Sequence, residues 1–365
     1  MIKFLDLKAQ YESIKIEIDN AIHSVINDCA FIGGKYVKEF EEKFAAYQQA
    51  KYCIGVGNGT DAIEIAIKAL EIPNGSEIII PANTFIATSE AVTRAGCKVV
   101  FCNCDQQNYT ISVKDAKKRI NDKTKAIIAV HLFGHPCNMD AVMKIAEEIS
   151  LKVIEDCAQA HGAEYKGKRV GTIGDIGIFS FYPGKILGAY GDAGAIVTND
   201  DEIATKARMI SNHGRLSKYN HEFEGRNSRL DGIQAAILSV KLNHIDEWIL
   251  KRIKIANCYY KYLKDNNNIV LPKREKWAKA VYHLFVIRIK QRDDFQKYLT
   301  SCGIQTGIHY PIALPKLQAY NYIGQADEAM FCNQIYTELL SLPMGEHLNI
   351  SQIKKIIEVI GEYTK

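Results

Sequence analysis

The chain has 365 residues, of which 47% are hydrophobic and 24% are charged. This composition is ordinary for a folded protein and excludes wholesale disorder, collagen and coiled coil. The length fits two domains, and the net charge of +4, from 46 basic and 42 acidic side chains, argues against a dedicated nucleic-acid binder. No apolar run is long enough for a membrane span, and the N-terminus has no apolar signal core, so we expect a cytoplasmic protein.

Strand-like and helix-like segments alternate along the first two thirds of the chain. Helical spacing of apolar residues predicts helices, and short apolar runs predict buried strands. In chain order, the predicted helices are 14–27, 37–48, 61–70, 84–95, 113–120 and 139–150, and the predicted strands are 52–56, 77–81, 98–104, 126–131 and 152–156, with a further strand ending near Phe181. This alternation predicts an α/β fold with a mostly parallel sheet.

After about residue 240 the pattern changes to Lys-rich, helix-like stretches around a few strands. Predicted helices cover 246–265, 292–301, 326–341 and 351–363, and a strand covers 283–290. We therefore expect a large domain over residues 1–245 and a smaller α+β domain over residues 246–365.

Ten cysteines are scattered along the chain, and none forms a Cys-x-x-Cys pair. Metal sites usually need two closely spaced pairs, so we expect no metal site. We interpret the cysteines as reduced, buried thiols, because a free cysteine behaves as a small hydrophobic residue.

A glycine-rich turn links the strand ending at Val56 to the helix that follows it. The start of a helix favours a bound anion through its free amides and its dipole. Gly57 to Ala62 also fits the G-x-G-x-x-A pattern of dinucleotide-binding folds, with Glu77 as a candidate ribose-binding acid. A plain turn capped by Thr60 or Asp61 is the third interpretation, and the turn alone does not decide among them.

Two charged residues lie at or just after the ends of predicted strands further along the chain. Asp156 closes the strand 152–156, at the strand end where parallel sheets bind ligands, although it could simply cap the next segment. Lys185 stands in the turn after Phe181, among glycines and aromatic residues. A solvated lysine is the commoner case, but an amine in partly desolvated surroundings has a lowered pKa and can attack an aldehyde.

These three features together point to one cofactor, pyridoxal 5′-phosphate. This cofactor needs an anion site for its phosphate, a lysine for its Schiff base and a carboxylate that keeps its ring nitrogen protonated. A hydride-transfer enzyme needs neither Lys185 nor Asp156, which weighs against the dinucleotide interpretation.

Nine ordered motifs make the chain similar to the DegT/DnrJ/EryC1/StrS family of sugar aminotransferases. The motifs lie at 4–7, 58–62, 81–85, 131–134, 155–162, 179–185, 212–214, 225–231 and 309–311. The resemblance implies the fold-type I (aspartate aminotransferase-like) architecture. Lysine rather than histidine at position 185 argues against the dehydratase branch of the family, and Ile186, where many relatives have Asn, is a local departure.

The resemblance implies a role for each matching residue. Lys185 would form the Schiff base and carry the proton, and Asp156 would pair with the ring nitrogen. The other implied cofactor contacts are Gly59, Thr60 and Ser180 at the phosphate, Phe85 on the ring face, Gln159 near the phenolic oxygen, and Asn227 reaching the phosphate from the neighbouring subunit. Taken singly, Phe85 could be a core residue, Ser180 a buried hydroxyl and Asn227 a turn residue, but their family spacing favours the functional interpretation.

The resemblance also implies a homodimer with two shared active sites and a transamination from L-glutamate to a nucleotide-linked keto-sugar. The motif at 4–7 and the turn at 182–185 are more typical of enzymes that aminate C3 of a dTDP-3-keto-6-deoxyhexose than of those that aminate C4 of a dTDP- or UDP-4-keto sugar. Candidate substrate contacts are Tyr182, His309, Tyr310, Arg215, Lys218, Tyr219 and Arg229.

Several alternatives remain at this point. Arg215 and Lys218 could equally belong to a solvated loop. An NAD-dependent dehydrogenase and a non-catalytic sugar-nucleotide-binding regulator are alternatives of another class. A regulator would be expected to lack Lys185 or Asp156, and both are present.

Overall fold

Thirteen α-helices and twelve β-strands are found in the computed structural model, which describes residues 1–364. The helices are α1 (Leu7–Ser13), α2 (Lys15–Asn27), α3 (Gly34–Gln48), α4 (Gly59–Ala69), α5 (Ile86–Arg94), α6 (Val113–Arg119), α7 (Met139–Glu148), α8 (Asp201–Ser211), α9 (Gly232–Leu242), α10 (Ile245–Leu263), α11 (Arg292–Ser301), α12 (Cys332–Ile335) and α13 (Ile350–Tyr363). The strands are β1 (Tyr52–Val56), β2 (Glu77–Pro81), β3 (Lys98–Cys102), β4 (Thr124–Val130), β5 (Lys152–Asp156), β6 (Glu164–Tyr165), β7 (Lys168–Arg169), β8 (Ile176–Ser180), β9 (Gly194–Thr198), β10 (Ala278–Lys279), β11 (Phe285–Arg288) and β12 (Leu339–Leu342).

A seven-stranded sheet has the order β1-β9-β8-β5-β4-β2-β3. Only β9 runs against its neighbours, so the prediction of an α/β fold with a mostly parallel sheet is confirmed. The carboxyl ends of the parallel strands therefore meet at one edge of the sheet. The residues that close these six strands are Val56, Pro81, Cys102, Val130, Asp156 and Ser180.

Apolar layers cover both faces of this sheet. In β2, Ile78 and Ile80 pack into one core while Ile79 packs into the other. Strands buried on both faces read as continuous apolar runs, and the predicted bounds of β1, β2 and β5 match the structure for that reason.

The C-terminal third contains a separate core around the pair β11–β12. Helices α10, α11 and α13 supply its apolar side chains, and Ile2 from the other end of the chain joins it. Ile2 also forms a parallel β-bridge with Ile304, so the first residues of the chain pack against the last third.

Three expectations from the sequence differ from the structure. The predicted helix 326–341 is wrong, because only Cys332–Ile335 is helical and Leu339–Leu342 pairs with β11 as a buried strand. Helices α1, α8 and α9 and strand β9 lay in no predicted element, and the Asp6 side chain caps α1. All ten cysteines are free, but Cys29 is exposed and Cys258 and Cys302 are only partly buried, so burial was predicted correctly for seven.

No helix within residues 1–364 combines the length and the apolar character that a membrane crossing requires.

Candidate active site

A cleft of about 810 Å³ opens at the carboxyl edge of the large sheet. It brings together ten of the residues predicted from the sequence: Gly59, Thr60, Phe85, Asp156, Gln159, Ser180, Tyr182, Lys185, His309 and Tyr310. Loops after four parallel strands and one segment from the C-terminal third therefore converge on the same space, as expected for a ligand site in an α/β fold.

Lys185 lies in a closed turn between β8 and β9. Its backbone N–H donates to the Tyr182 carbonyl at 2.8 Å, and the Ala189 N–H donates to the Phe181 carbonyl at 2.8 Å. Burial lowers the pKa of Lys185 to about 8, although the nearby Asp156 carboxylate opposes this shift. About a tenth of the amine is therefore unprotonated, and nucleophilic, at pH 7, and about half at pH 8.

Asp156, the last residue of β5, is only 5% exposed. Its two carboxylate oxygens each accept one hydrogen bond, from the Ala158 N–H at 3.1 Å and from the Thr88 hydroxyl at 2.9 Å. Burial raises the pKa of this carboxyl, while these two donors and the charge of Lys185 pull it down. A cation placed beside Asp156 would stabilise its ionised form further.

Gln159 is fixed at both ends of its amide. Its Oε1 accepts from the Phe133 N–H at 2.7 Å, and its Nε2 donates to the Tyr310 hydroxyl at 2.9 Å. The Tyr310 ring lies 5.5 Å from the Phe85 ring with a tilt of 37°. Gln159 and these two rings therefore form one wall of the cleft, and burial raises the pKa of the Tyr310 phenol.

The start of α4 forms the anion end of the cleft. Asn58 caps this helix, since its side-chain oxygen accepts from the Asp61 N–H at 2.8 Å, so neither Thr60 nor Asp61 is the cap. The first amides of a helix have no partner within it. A Cβ atom built on Gly59 would lie 2.7 Å from Cβ of Ser180, so only glycine lets the helix start approach the end of β8 this closely.

Five predicted residues do not line the cleft of this chain: Asn227, Arg215, Lys218, Tyr219 and Arg229. All lie between α8 and α9. Asn227 and Tyr219 are exposed there, Tyr219 by 79%. The neighbouring Arg226 ties this segment to α4 through ion pairs of 2.5 Å with Asp61 and Glu64.

Glu77, the candidate ribose-binding acid, does not line the cleft either. It begins β2, at the end of the strand opposite the cleft, and accepts a hydrogen bond from Asn121 at 2.8 Å. The position of Glu77 removes the second element of a dinucleotide site.

Sequence reasoning missed several residues of the cleft. Thr88 contacts Asp156, and its one signal was the Thr84/Thr88 spacing of four residues at the start of a helix. His283 also lines the cleft, with Nδ1 buried and without a partner among residues 1–364. Phe4 packs against His309 with ring centroids 5.8 Å apart, a contact between the two ends of the chain that no local pattern indicates.

A buried ion pair supports the strand that carries Asp156. Glu155 Oε2 lies 3.0 Å from His131 Nε2, and Glu155 accepts from the amides of Gly171, Ile173 and Gly174. His131, Glu155 and Cys157 place donor atoms within 4.8 Å of one another. Burial alone would raise the pKa of Glu155, but these hydrogen bonds and His131 hold it below its usual value.

Similar proteins are known for the whole chain. The dTDP-3-amino-3,6-dideoxy-alpha-D-galactopyranose transaminase of Aneurinibacillus thermoaerophilus is 45% identical over 363 residues, which cover 100% of this chain and 99% of the relative. A protein of Geobacillus stearothermophilus named pleiotropic regulatory protein is 44% identical over 368 residues, which cover 99% and 98%.

Two solved structures have the same fold. DesV of Streptomyces venezuelae, solved in complex with a ketimine intermediate, superposes with a TM-score of 0.98 at 38% identity and covers 100% of this chain and 98% of that one. NtdA of Bacillus subtilis, solved with bound cofactor PMP, has a TM-score of 0.90 at 29% identity and covers 99% and 84%.

The model of the DegT/DnrJ/EryC1/StrS aminotransferase family matches residues 12–361, nearly the entire length. Six of the nine motifs identified in the sequence reach the cleft, where an amine, a carboxylate and a helix start face one space. This chain therefore belongs to the DegT/DnrJ/EryC1/StrS aminotransferase family.

Proposed function

We propose that this protein is a pyridoxal-phosphate-dependent aminotransferase that transfers the amino group of L-glutamate to C3 of a dTDP-3-keto-6-deoxyhexose. The observation that supports this proposal most directly is that Lys185 and Asp156 line the same cleft. A half-buried amine of lowered pKa and a buried, hydrogen-bonded carboxylate line the same cleft.

The residues present fit pyridoxal phosphate. The close approach of Gly59 to Ser180 forms a narrow cradle at a helix start, which suits a phosphate. Lys185 supplies the amine that would bind the cofactor covalently, and Asp156 supplies the carboxylate for its ring nitrogen. Phe85 and Gln159 would lie against the ring face and the phenolic oxygen.

When bound, the cofactor withdraws electrons from the substrate carbon that exchanges its proton. The chain's own residues position the cofactor and move the substrate's proton. Asp156, whose carboxylate accepts hydrogen bonds from Thr88 and Ala158, would keep the ring nitrogen of the cofactor protonated. Lys185, with a pKa of about 8 before it binds the cofactor, would accept and return the proton at its Nζ as general base and acid.

The choice of C3 and of a dTDP-linked sugar rests on two supports. The relative from A. thermoaerophilus, 45% identical, is named for a dTDP-3-amino sugar, and the motif at 4–7 is typical of C3 enzymes. The structure places Phe4 and Leu5 of that motif in the wall of the cleft. Amination at C4 of a dTDP- or UDP-4-keto sugar is the alternative. Tyr182, His309 and Tyr310 are the proposed sugar contacts.

We also propose a cytoplasmic homodimer with shared active sites. Phe85 and Tyr182 line the cleft yet are 51% and 60% exposed, which suits a cleft completed by another subunit. The segment 212–231, with Asn227, Arg215, Lys218, Tyr219 and Arg229, would then reach the partner's cofactor and sugar diphosphate. Ten free cysteines suit a reducing compartment. Each subunit would comprise a large domain, 1–245, and a small one, 246–365.

Two measurements test the proposed function. The purified protein supplied with pyridoxal phosphate should show a visible absorbance band that borohydride abolishes and that is lost in Lys185→Ala. Product analysis with dTDP-3-keto and dTDP-4-keto sugars should give amination at C3. A band that survives Lys185→Ala with full turnover would refute the chemistry, and amination only at C4 would refute the regiochemistry.

A further inference from the structure

Helix α9 contains a lysine that the chemistry above does not use. Lys241 is 0% exposed, and its Nζ donates a hydrogen bond of 2.7 Å to the carbonyl oxygen of Gly188. The same Nζ lies 4.2 Å from the centroid of the Tyr190 ring. Within residues 1–364 no carboxylate forms a salt bridge with Lys241. Lysines are almost never fully buried unless they are paired, so this placement needs an explanation.

A second side chain of α9 contacts the same segment. Gln234 lies seven residues before Lys241 and therefore two turns earlier on the same face of the helix. Its Oε1 accepts from the Tyr190 N–H at 2.8 Å, and its Nε2 donates to the Tyr190 carbonyl at 3.4 Å. Together Lys241 and Gln234 hold residues 188–190 against α9 through three side-chain hydrogen bonds.

The segment held by α9 is one end of the turn that carries Lys185. A Cβ atom on Gly188 would lie 2.3 Å from the Pro183 carbonyl oxygen, so the two ends of the turn are in direct contact. The Ala189 N–H closes the same turn on Phe181 at 2.8 Å. A displacement of the Gly188 carbonyl would therefore be transmitted through Pro183 to Lys185, two residues further on.

We propose that Lys241 is a positioning residue for Lys185, which it acts on through the Gly188 carbonyl. The inference rests on the proposed function, because it assigns Lys185 the cofactor-binding role. A long ammonium side chain can reach a buried carbonyl that would otherwise lack a donor, and the charge makes this hydrogen bond stronger than a neutral one. Gln234 fixes the neighbouring peptide and prevents the segment from rotating.

The contrasting interpretation is that Lys241 only stabilises the fold. Its cation–π contact with Tyr190 and its hydrogen bond would then contribute to the free energy of unfolding but not to the geometry of Lys185. The two interpretations differ in their effect on the amine, so the test needs a property of Lys185 besides turnover.

The test compares Lys241→Met, which removes the ammonium, with Lys241→Arg, which keeps a charged donor. Lys251→Met is the matched control, since Lys251 is on the surface of the adjacent α10 and pairs with Glu247. For each folded variant, we would measure the pH midpoint of the visible band of added pyridoxal phosphate. We would also measure the rate at which the apoprotein captures it, and kcat.

We expect Lys241→Met to capture the cofactor about tenfold more slowly and to lose about ten- to hundredfold in kcat, because small misplacements of a reacting group cost this much. Its pH midpoint should move away from that of the wild type. Lys241→Arg should lie closer to the wild type, and Lys251→Met should match it.

An unchanged pH midpoint and capture rate in folded Lys241→Met would overturn the positioning role. If Lys241→Met does not fold, Gln234→Leu replaces it in the test. This variant should shift the pH midpoint and the capture rate in the same direction as expected for Lys241→Met. No shift in Gln234→Leu would also overturn the positioning role. A wild-type protein with no band sensitive to Lys185→Ala would instead refute the proposed function, so the two failures are distinguishable.

Discussion

The Thr88 hydroxyl donates a hydrogen bond of 2.9 Å to Oδ2 of Asp156, from a helix on one side of the sheet to the end of its central strand β5. The bond orients the carboxylate and favours its ionised form. A residue with no part in the chemistry thus sets the charge that the cofactor's ring nitrogen would meet.

Thr88→Val should therefore weaken the binding of pyridoxal phosphate. A hydrogen bond to a charged group is worth about 1.5–3 kcal/mol, but this one exists before the cofactor binds, so only the part that strengthens on binding enters Kd, and we expect a loss of about three- to tenfold. Equilibrium titration of the visible band measures this loss. Thr93→Val is the matched control, because Thr93 lies on the same helix but bonds only to the Glu90 carbonyl, and its Kd should stay unchanged. Equal affinities for the two variants would contradict the assigned role of Thr88.

The capture of the cofactor by the apoprotein should depend on pH through Lys185. Burial lowers the pKa of this amine to about 8. The amine is therefore mostly protonated and unreactive below pH 8, and mostly neutral and reactive above it. For a group with this pKa, the neutral fraction rises about fivefold from pH 7 to pH 8 and about twofold more by pH 9. Stopped-flow absorbance on the wild type measures the rate. Asp156→Asn removes the carboxylate that raises this pKa and should move the midpoint to lower pH, whereas a midpoint near 10.5 in both proteins would contradict this account.

Gly59→Ala should disturb both stability and cofactor binding. The added Cβ would lie 2.7 Å from Cβ of Ser180, so the start of α4 must move, at a cost of about 1–3 kcal/mol in the free energy of unfolding. Gly361→Ala is the control, since Gly361 lies in α13 with nothing within 4 Å of its added Cβ, and it should stabilise the protein by about 0.5–1 kcal/mol.

The same contact can be separated from helix propensity by a double-mutant cycle. If the Ser180 side chain causes the clash, Gly59→Ala should cost less in a Ser180→Gly background than in the wild type. Urea unfolding of the four proteins gives the coupling, and strictly additive effects would show that the clash is absent.

Glu155→Gln should destabilise the fold strongly. A neutral amide leaves His131 and three backbone N–H groups with a weaker acceptor inside the core, at a cost of about 3–5 kcal/mol. Glu17→Gln, which alters the exposed pair with His244, should change stability by less than about 1 kcal/mol.

The pH dependence of that effect has a definite sign. Because the folded pKa of Glu155 is held below its unfolded value, its ionised form stabilises the protein above about pH 4.5. This contribution is lost as the pH falls through the folded pKa. Urea unfolding between pH 6 and pH 3 should therefore show a shallower loss of stability in Glu155→Gln than in the wild type.

Asn227 should act across the subunit interface. In a mixed dimer of Lys185→Ala and Asn227→Ala chains, one site carries both defects and the other is intact if Asn227 serves the partner's cleft. Random mixing at equal amounts should then restore about a quarter of the wild-type activity, since half of the dimers are mixed. Activity no greater than the mean of the two parent variants would place Asn227 in its own chain's site.

Local sequence patterns predicted the elements that are buried on both faces. The strands around Ile54, Ile79 and Ile154 read as short apolar runs because helices cover the sheet on each side. The same reasoning gave a wrong prediction for the segment 326–341. Its apolar residues fit a helix, but the pairing of Leu340 with Ile287 in β11, set by tertiary packing, turned its end into a strand.

The predicted cleft residues shared a strand end or a motif, whereas Thr88 and His283, which were missed, had neither signal. Asp156 ends a strand and Lys185 follows one, and α/β folds place ligands at these strand ends. Lys241 is a single charge in an apolar helix, and nothing in its neighbours indicates that it reaches Gly188. Contacts of this kind depend on the crossing of distant elements, which one sequence does not encode locally.

The cleft wall built from both ends of the chain has a consequence for protein synthesis. The Phe4 amide donates to the Gln305 side chain across a separation of 301 residues, and Phe4 packs on His309. A ribosome-bound chain cannot make these contacts until Gln305 and His309 have emerged. The reaction cleft can therefore be completed only late in synthesis, once Gln305 and His309 have left the ribosome, and tight capture of the cofactor must follow that point.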